Sequence, residues 1–304
     1  MTRINSQVRA SRGSRAWNTP RLPLRLGGWA LVEQVSEGQL ARVYRARPAD
    51  GSPDRPAAYA VKVLRPEWER HPEAVALLAR EAQLGRQVAH PHLVSVLAAR
   101  VREAPRYLVM PWLDGATLAS RMACENPLEL PEILWIARQV AEALDALDAR
   151  GWMHGDVKPE NIMVSAAGHA TLLDLGFARR RNEEASVTDR MVAGTCAYLA
   201  PEVLTSRLRA DIRSDLYSLG VVLFEALGGS LPFSGQSPAE WIAQHLEAPP
   251  PDLKRVAPHL PGEVTALVRR LLAKDPIRRP QSPRELSAQL VRLEIAAFGE
   301  RVLV

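Results

Sequence analysis

The sequence predicts an α+β fold with two lobes, a small β-rich N-terminal lobe and a larger helical C-terminal lobe. Two observations support this prediction. Strand-like segments separated by turn-rich segments fill the region from position 29 to position 64. From position 131 onward, long segments with helical periodicity dominate. The predicted boundaries are a basic, disordered arm at 1–26, a domain at 27–298 with lobes at 27–111 and 115–298, and a tail at 299–304.

The strand candidates are WALVEQV (29–35), VYRA (43–46), YAVKVL (59–64), LVSVLAARV (93–101) and RYLVMPW (106–112). A helix follows Pro72. Another helix occupies 131–151, because apolar residues recur at helical spacing and Gly151 is a typical stop. The segment 162–178 has the pattern of a hairpin that ends near Asp174.

Composition excludes several classes of protein. The 304 residues carry a formal net charge of +5, yet no predicted helix has a basic stripe interleaved with aromatic residues, so we expect no nucleic-acid partner. The apolar run 216–227 is too short to cross a bilayer, so we expect no membrane partner and a cytoplasmic location. Two distant cysteines indicate neither a zinc site nor a disulfide framework.

A loop suited to phosphate binding lies between the first two strand candidates. Glycine lets backbone N–H groups approach phosphate oxygens closely. In the segment VSEGQLARVY (35–44) only Gly38 remains of a GxGxxG pattern, because Ser36 and Ala41 occupy the outer positions. Taken alone, this segment is typical of an ordinary hairpin.

Lys62 and Glu81 are predicted to form an ion pair. Glu81 falls on the same helical face as the apolar residues Leu77, Leu84 and Val88. A carboxylate on an inward face is costly unless it is paired. Pairing with Lys62 would hold that ammonium where it can contact two phosphates.

The segment HGDVKPEN (154–161) carries the residue types that phosphoryl transfer requires. Asp156 suits the base that receives the proton of the attacking hydroxyl, and Lys158 suits the cation on the transferred group. Asn161 and Asp174 suit the oxygen ligands of a magnesium ion. Lys158 is one of only four lysines in the chain, which has 35 arginines.

With these motifs, positions 29–293 resemble a bacterial Ser/Thr protein kinase of the eukaryotic type. The resemblance implies a two-lobed protein-kinase fold, ATP as substrate, and Mg²⁺ as cofactor, with Mn²⁺ as an alternative. It implies that Asp156 and Lys158 are catalytic and that Asn161 and Asp174 bind metal. The implied nucleotide-binding residues are Val35, Ser36, Gly38, Val43, Ala60, Lys62, Glu81, Met110, Pro111 and Leu113.

Further segments share this resemblance, namely GTCAYLAPE (194–202), SDLYSLG (214–220) and KDPIRRP (274–280). They imply a buried ion pair between Glu202 and Arg279 that braces the substrate platform, and an Asp215 that supports the catalytic loop. The main departure is Gly155, which stands where the family has arginine. The implied partners are protein substrates phosphorylated on Ser or Thr, and a cognate phosphatase or regulatory partner.

Two alternatives to a protein kinase remain. A phosphotransferase of the aminoglycoside type also has HGD at this loop, but it lacks a lysine two residues later and an Ala-Pro-Glu segment. A pseudokinase that acts as an ATP-binding scaffold would fit the reduced glycine loop. Pseudokinases usually lack the lysine, the base or a metal residue, and all are present here.

The arginine-rich arm is predicted to be dispensable for chemistry, because it lacks apolar periodicity and precedes the first strand candidate. Deletion of residues 1–20 should leave turnover on a generic acceptor protein unchanged in a steady-state phosphorylation assay. A large loss of turnover would show that the arm packs on the small lobe or binds the acceptor.

Overall fold

The computed structural model describes residues 24–52, 54–124, 128–181, 183, 195–205 and 210–302. Most of the predicted arm therefore lies outside the described residues. Its last three positions, Leu24–Leu26, form strand β1, which pairs with the next strand. The sheet thus begins inside the range that the sequence assigned to the arm.

Six strands of the described chain form one antiparallel sheet in the order β1-β2-β3-β4-β6-β5. The first, second, third and fifth strand candidates are confirmed as strands. Alternate residues point to opposite faces, so Ala60 joins the large core that the two lobes share, whereas Val61 joins a separate small core. The remaining bounds are β2 Trp29–Glu37, β3 Ala41–Pro48, β4 Tyr59–Leu64, β5 Ala98–Arg100 and β6 Tyr107–Pro111.

Helix α1 (Pro72–Gln87) packs against the sheet, and the chain after it differs from the sequence prediction. The strand predicted at 93–101 is only Ala98–Arg100. Residues before it are held elsewhere: Val94 N–H donates to Leu172 O (3.0 Å) and Val96 N–H donates to Gly85 O (2.8 Å). This segment therefore ties α1 to the helical lobe instead of extending the sheet.

The large lobe is mainly helical, and the predicted helix at 131–151 is confirmed as α3. Short antiparallel pairs join β9 to β10 and β8 to β11. The helices are α2 Leu118–Met122, α3 Leu130–Asp148, α4 Ile212–Gly228, α5 Pro238–Glu247, α6 Leu253–Val256, α7 Gly262–Leu271 and α8 Pro283–Val302. The strands are β7 Ala116–Thr117, β8 Trp152–Met153, β9 Ile162–Val164, β10 Ala170–Leu172 and β11 Arg179–Arg180.

The last helix is longer than the sequence boundary implied, because α8 continues into the range assigned to the tail. Within the described ranges, no helix has the length and apolar character needed to span a membrane.

The buried ion pair predicted between Glu202 and Arg279 is confirmed. The two side chains are 1% and 0% exposed and meet through two bonds, of 2.6 Å and 2.9 Å. Glu202 also accepts from Ser214 Oγ (2.7 Å), and the Arg279 guanidinium donates to the Ala273 carbonyl (2.8 Å). Because the pair is hydrogen-bonded on several sides, loss of one partner would leave an uncompensated buried charge.

Glu202→Ala is therefore expected to lower the free energy of unfolding by about 3–5 kcal/mol, measured by urea denaturation. The matched control is Glu132→Ala, which removes the more exposed Arg121–Glu132 pair (2.6 Å) and should cost less than about 1 kcal/mol. Equal losses for the two variants would contradict a structural role for the buried pair.

Candidate active site

Lys62 lies between two carboxylates that come from different lobes. Its Nζ is 2.7 Å from Glu81 Oε2 on α1 and 3.0 Å from Asp174 Oδ2 in the loop after β10. The predicted pair of Lys62 with Glu81 is thus confirmed, and Glu81 is only 2% exposed. Strand β4, helix α1 and the 174 loop meet at this one ammonium.

The charges of this triad shift one another's pKa. Burial raises the pKa of Glu81 to about 7, and the Lys62 ammonium only partly offsets this effect. Burial opposes the charge on Lys62, but the two carboxylates outweigh it and raise the pKa of the ammonium. Burial also opposes ionisation of Asp174, yet the Lys62 charge lowers the pKa of that carboxyl. Asp174 is therefore the carboxylate of the pair that stays ionised most readily.

The loop that contains His154, Gly155 and Asp156 is anchored by Asp215, the fourth residue of α4. Its two carboxylate oxygens accept from the backbone N–H groups of His154 (2.6 Å) and Gly155 (2.7 Å). The predicted support of this loop by Asp215 is confirmed. Gly155 has φ +80°, a conformation that glycine adopts at little cost. Glycine at 155 therefore has a structural role of its own, because it allows this left-handed backbone conformation.

Asp156, Lys158 and Asn161 converge on one carboxylate oxygen. Asp156 Oδ2 is 2.9 Å from Lys158 Nζ and accepts from Asn161 Nδ2 at 2.8 Å. Asn161 Nδ2 also donates to the Asp156 carbonyl (2.8 Å). Among the described contacts both groups bind Oδ2, which leaves Oδ1 as the oxygen available to an incoming hydroxyl.

His154 joins the two halves of the site, a role that the sequence analysis missed. The ring is fully buried; its Nδ1 accepts from Asp156 N–H (3.2 Å) and its Nε2 lies 2.9 Å from Leu173 O. Because a carbonyl only accepts, Nε2 carries the proton. His154 therefore holds the residue before Asp174 against the Asp156 loop. The motif HGD contained this signal, but only the spatial neighbours reveal it.

Asn161 and Asp174 carry the kind of side-chain oxygens that a magnesium ion binds. The Asn161 amide nitrogen donates to the carbonyl and the carboxylate of Asp156, so its amide oxygen is the atom available to a cation. Asp174 has a left-handed backbone (φ 60°), and its Oδ1 accepts from Gly176 N–H (3.3 Å). Magnesium typically takes one or two protein oxygens together with substrate phosphates. The two side chains fit that pattern.

Three predicted nucleotide-binding residues share the sheet face that points toward the helical lobe. Ala60 lies beside Met110 in the β4–β6 register, and Val43 lies beside Lys62 in the β3–β4 register. Val43, Ala60 and Met110 belong to the shared core. The sheet therefore continues from Lys62 to Met110 as one surface.

The other predicted nucleotide residues lie at the edges of that surface. Val35 and Ser36 are in β2, and Gly38 forms the turn to β3, where its N–H donates to Ala41 O (2.9 Å). Pro111 ends β6, and Leu113 follows in the connection to the large lobe. The 35–44 segment is thus a tight hairpin, as its sequence alone would suggest.

The chain matches a known protein family over most of its length. The family model described as "Protein kinase domain" matches residues 29–291. The chain belongs to the protein kinase family. The two-lobed fold and the resemblance stated from the motifs are confirmed.

Several curated relatives are bacterial Ser/Thr kinases. The chain is 31% identical over 264 residues to "Serine/threonine-protein kinase PrkC" of Bacillus subtilis, covering 87% of this chain and 40% of the relative. It is 35% identical over 271 residues to "Serine/threonine-protein kinase PknB" of Mycobacterium tuberculosis, covering 87% and 42%. The chain thus spans about two fifths of the length of these relatives.

Glu81→Gln is predicted to slow phosphoryl transfer while it leaves the fold intact. The substitution keeps the volume of the side chain but removes the charge that positions Lys62 2.7 Å away. We expect at least a tenfold loss of kcat/KM, about 1.4 kcal/mol in barrier, with little change in the thermal unfolding midpoint. A variant that unfolds without a specific defect in ATP use would indicate a structural role instead.

Proposed function

We propose that the chain is a Ser/Thr protein kinase, which transfers the γ-phosphoryl group of ATP to serine or threonine hydroxyls of proteins and also phosphorylates itself. The observation that carries the proposal is the closed arrangement of Lys62, Glu81 and Asp174 beside Asp156. In one place it supplies a cation for phosphates, a base for the hydroxyl and oxygen ligands for a metal.

On the acceptor side, Asp156 orients the hydroxyl through Oδ1 and receives its proton. Lys158, 2.9 Å from Oδ2, is placed to balance charge on the transferred phosphoryl group. Because the Asp156 carboxylate is held by Asn161 and its backbone by His154, the base is positioned before the acceptor arrives. Positioning and electrostatics supply most of the catalysis in such reactions.

On the nucleotide side, Lys62 binds the α- and β-phosphates while Glu81 fixes its direction. Val43, Ala60 and Met110 form the apolar wall for adenine, bounded by Val35 and Ser36. Gly38 covers the phosphates with its backbone. The backbone of Pro111 and Leu113 meets the adenine edge; Pro111 has no N–H, so its carbonyl is the group that serves there.

Asn161 and Asp174 would hold Mg²⁺, with Mn²⁺ as an alternative. When bound, the ion neutralises charge that develops on the phosphates. The ionised state of Asp174 suits this role because Lys62 already lowers the pKa of its carboxyl.

The acceptor class rests on Lys158 and Thr195, which match the Ser/Thr branch of the family. The Thr195 side chain lies outside the described residues. The proposed partners are protein acceptors and a cognate phosphatase or regulatory partner, with no nucleic acid. A small-molecule phosphotransferase is disfavoured by Lys158 and by the Ala-Pro-Glu segment that contributes Glu202 to the buried ion pair.

Asp156→Asn and Asp174→Asn should each fold normally and lose transfer by several orders of magnitude, because positioned groups of this kind contribute about 10²-fold to 10⁴-fold or more. Transfer of radiolabelled phosphate to a generic acceptor measures the effect, and Asp114→Asn, on an exposed position, serves as the control. Near-wild-type transfer by either variant would refute its assignment.

ATP hydrolysis with and without Mg²⁺ separates the kinase from a pseudokinase, which would bind ATP without turnover.

Activation in this chain is proposed to need no activating phosphate, and Gly155 is the first reason. With arginine at that position, family members bind a phosphorylated residue of the activation segment and so order the segment. In this chain an acidic residue of the segment already pairs with an arginine without phosphorylation. Glu183 forms an ion pair with Arg80 on α1, one position before Glu81. Arg179 is a buried cation that pairs in register with Met153, the residue before His154, and within the described residues its Nε and Nη2 have no hydrogen-bond partner.

The candidate phosphosites, Ser186 and Thr188, lie outside the described residues, as do the acids Glu184 and Asp189. We expect phosphatase-treated enzyme and the Ser186→Ala/Thr188→Ala double variant to keep their activity in steady-state kinetics. A loss of tenfold or more, about 1.4 kcal/mol in barrier, would instead mean that Arg179, Arg180 and Arg181 replace the missing arginine and bind a phosphate.

A further inference from the structure

A buried histidine that the proposed chemistry does not use lies beneath the 3-10 turn Thr195–Tyr198. His245 on α5 is 0% exposed. Its Nε2 is 3.0 Å from the carbonyl oxygen of Ala197, in that turn, and its Nδ1 is 2.9 Å from Tyr217 Oη on α4. The ring thus connects two helices to the turn.

The direction of these hydrogen bonds is fixed by chemistry. The Ala197 carbonyl can only accept, so Nε2 must carry the proton and Nδ1 must accept from the Tyr217 hydroxyl. Lys274 Nζ lies 3.5 Å from the same Tyr217 oxygen and donates to Gln244 O (3.2 Å). Lysine can only donate, so every group from Lys274 to Ala197 has one compatible role.

The surroundings keep His245 neutral. Phe233 and Trp241 lie against the ring, with centroids at 5.0 Å and 6.3 Å. Burial, reinforced by the Lys274 charge, lowers the pKa of His245 to about 4. A neutral imidazole with a fixed tautomer is therefore present throughout the neutral pH range.

The turn that His245 holds lies beside the catalytic loop. Tyr198 Oη donates to Glu225 Oε2 (2.7 Å). Tyr198 and Glu160, four residues after Asp156, line the same cavity of about 640 Å³. The turn leads directly into Glu202 of the buried ion pair. The turn therefore borders the same cavity as the segment that follows Asp156.

We propose that His245 is a positioning residue for the protein acceptor: its Nε2–H bond to Ala197 sets the turn against which the acceptor chain lies. The inference rests on the proposed function, because it concerns how that acceptor binds. Since neither His245 nor Tyr217 is a member of the Lys62 triad, binding and hydrolysis of ATP do not depend on this bond.

The test compares three variants of the full chain. His245→Leu removes the bond and keeps most of the side-chain volume, whereas the amide nitrogen of His245→Gln can reach the position of Nε2. Tyr217→Phe keeps His245 itself but removes the donor to Nδ1, and so releases the tautomer. His169→Leu is the control, because its Nε2 also faces a carbonyl (Pro91 O, 3.0 Å) but belongs to the turn between β9 and β10.

We expect the KM for a protein acceptor to rise about three- to tenfold in His245→Leu and in Tyr217→Phe, the range for loss of one hydrogen bond. The KM for ATP and the rate of ATP hydrolysis should not change, and His245→Gln and His169→Leu should resemble wild type. An unchanged acceptor KM in both Tyr217→Phe and a folded His245→Leu would overturn the inference. An equal loss for ATP would also overturn it. A wild-type chain that phosphorylates no acceptor would refute the proposed function itself.

Discussion

The ion triad of Lys62, Glu81 and Asp174 is the interaction on which the rest of the site depends. It joins a strand and a helix of the small lobe to a loop of the large lobe through contacts of 2.7 Å and 3.0 Å. Buried charges are stable only when they are paired and hydrogen-bonded. With two carboxylates for one ammonium, the triad carries excess negative charge when both acids are ionised. Burial is the main cause of the raised pKa of Glu81, and the Asp174 charge adds to it. A divalent cation at Asp174 would relieve that excess.

Helix α4 positions the remaining parts of the site. Along one helix, Asp215 holds the catalytic loop, Ser214 bonds to Glu202, Tyr217 orients His245, and Glu225 accepts from Tyr198. Most of the helix is buried and close-packed, so the backbone positions from which these four side chains extend are fixed. Loops that carry function are therefore held by a rigid element, which lets a loop backbone such as that of Gly155 keep an unusual conformation.

Much of this architecture could be predicted from the sequence, because periodicity and residue type are local. Glu81 was found from its place on an apolar helical face, and Asp156 and Asn161 from their spacing in one loop. The strand predicted at 93–101 was mostly wrong, because tertiary bonds from Val94 and Val96 override a β-like composition. The roles of His154, Arg80 and His245 could not be predicted, since their partners are distant in sequence and only the fold brings them together.

In the proposed kinase, the reacting groups are assembled before the nucleotide binds. The first turnover of dephosphorylated chain, measured by rapid mixing with Mg²⁺-ATP and a saturating acceptor, tests this claim most directly. If the groups are already in place, phosphorylated acceptor accumulates from the start without a lag. A lag that disappears after preincubation with ATP would contradict it, because the site would then need to be assembled by modification or by slow closure of the lobes.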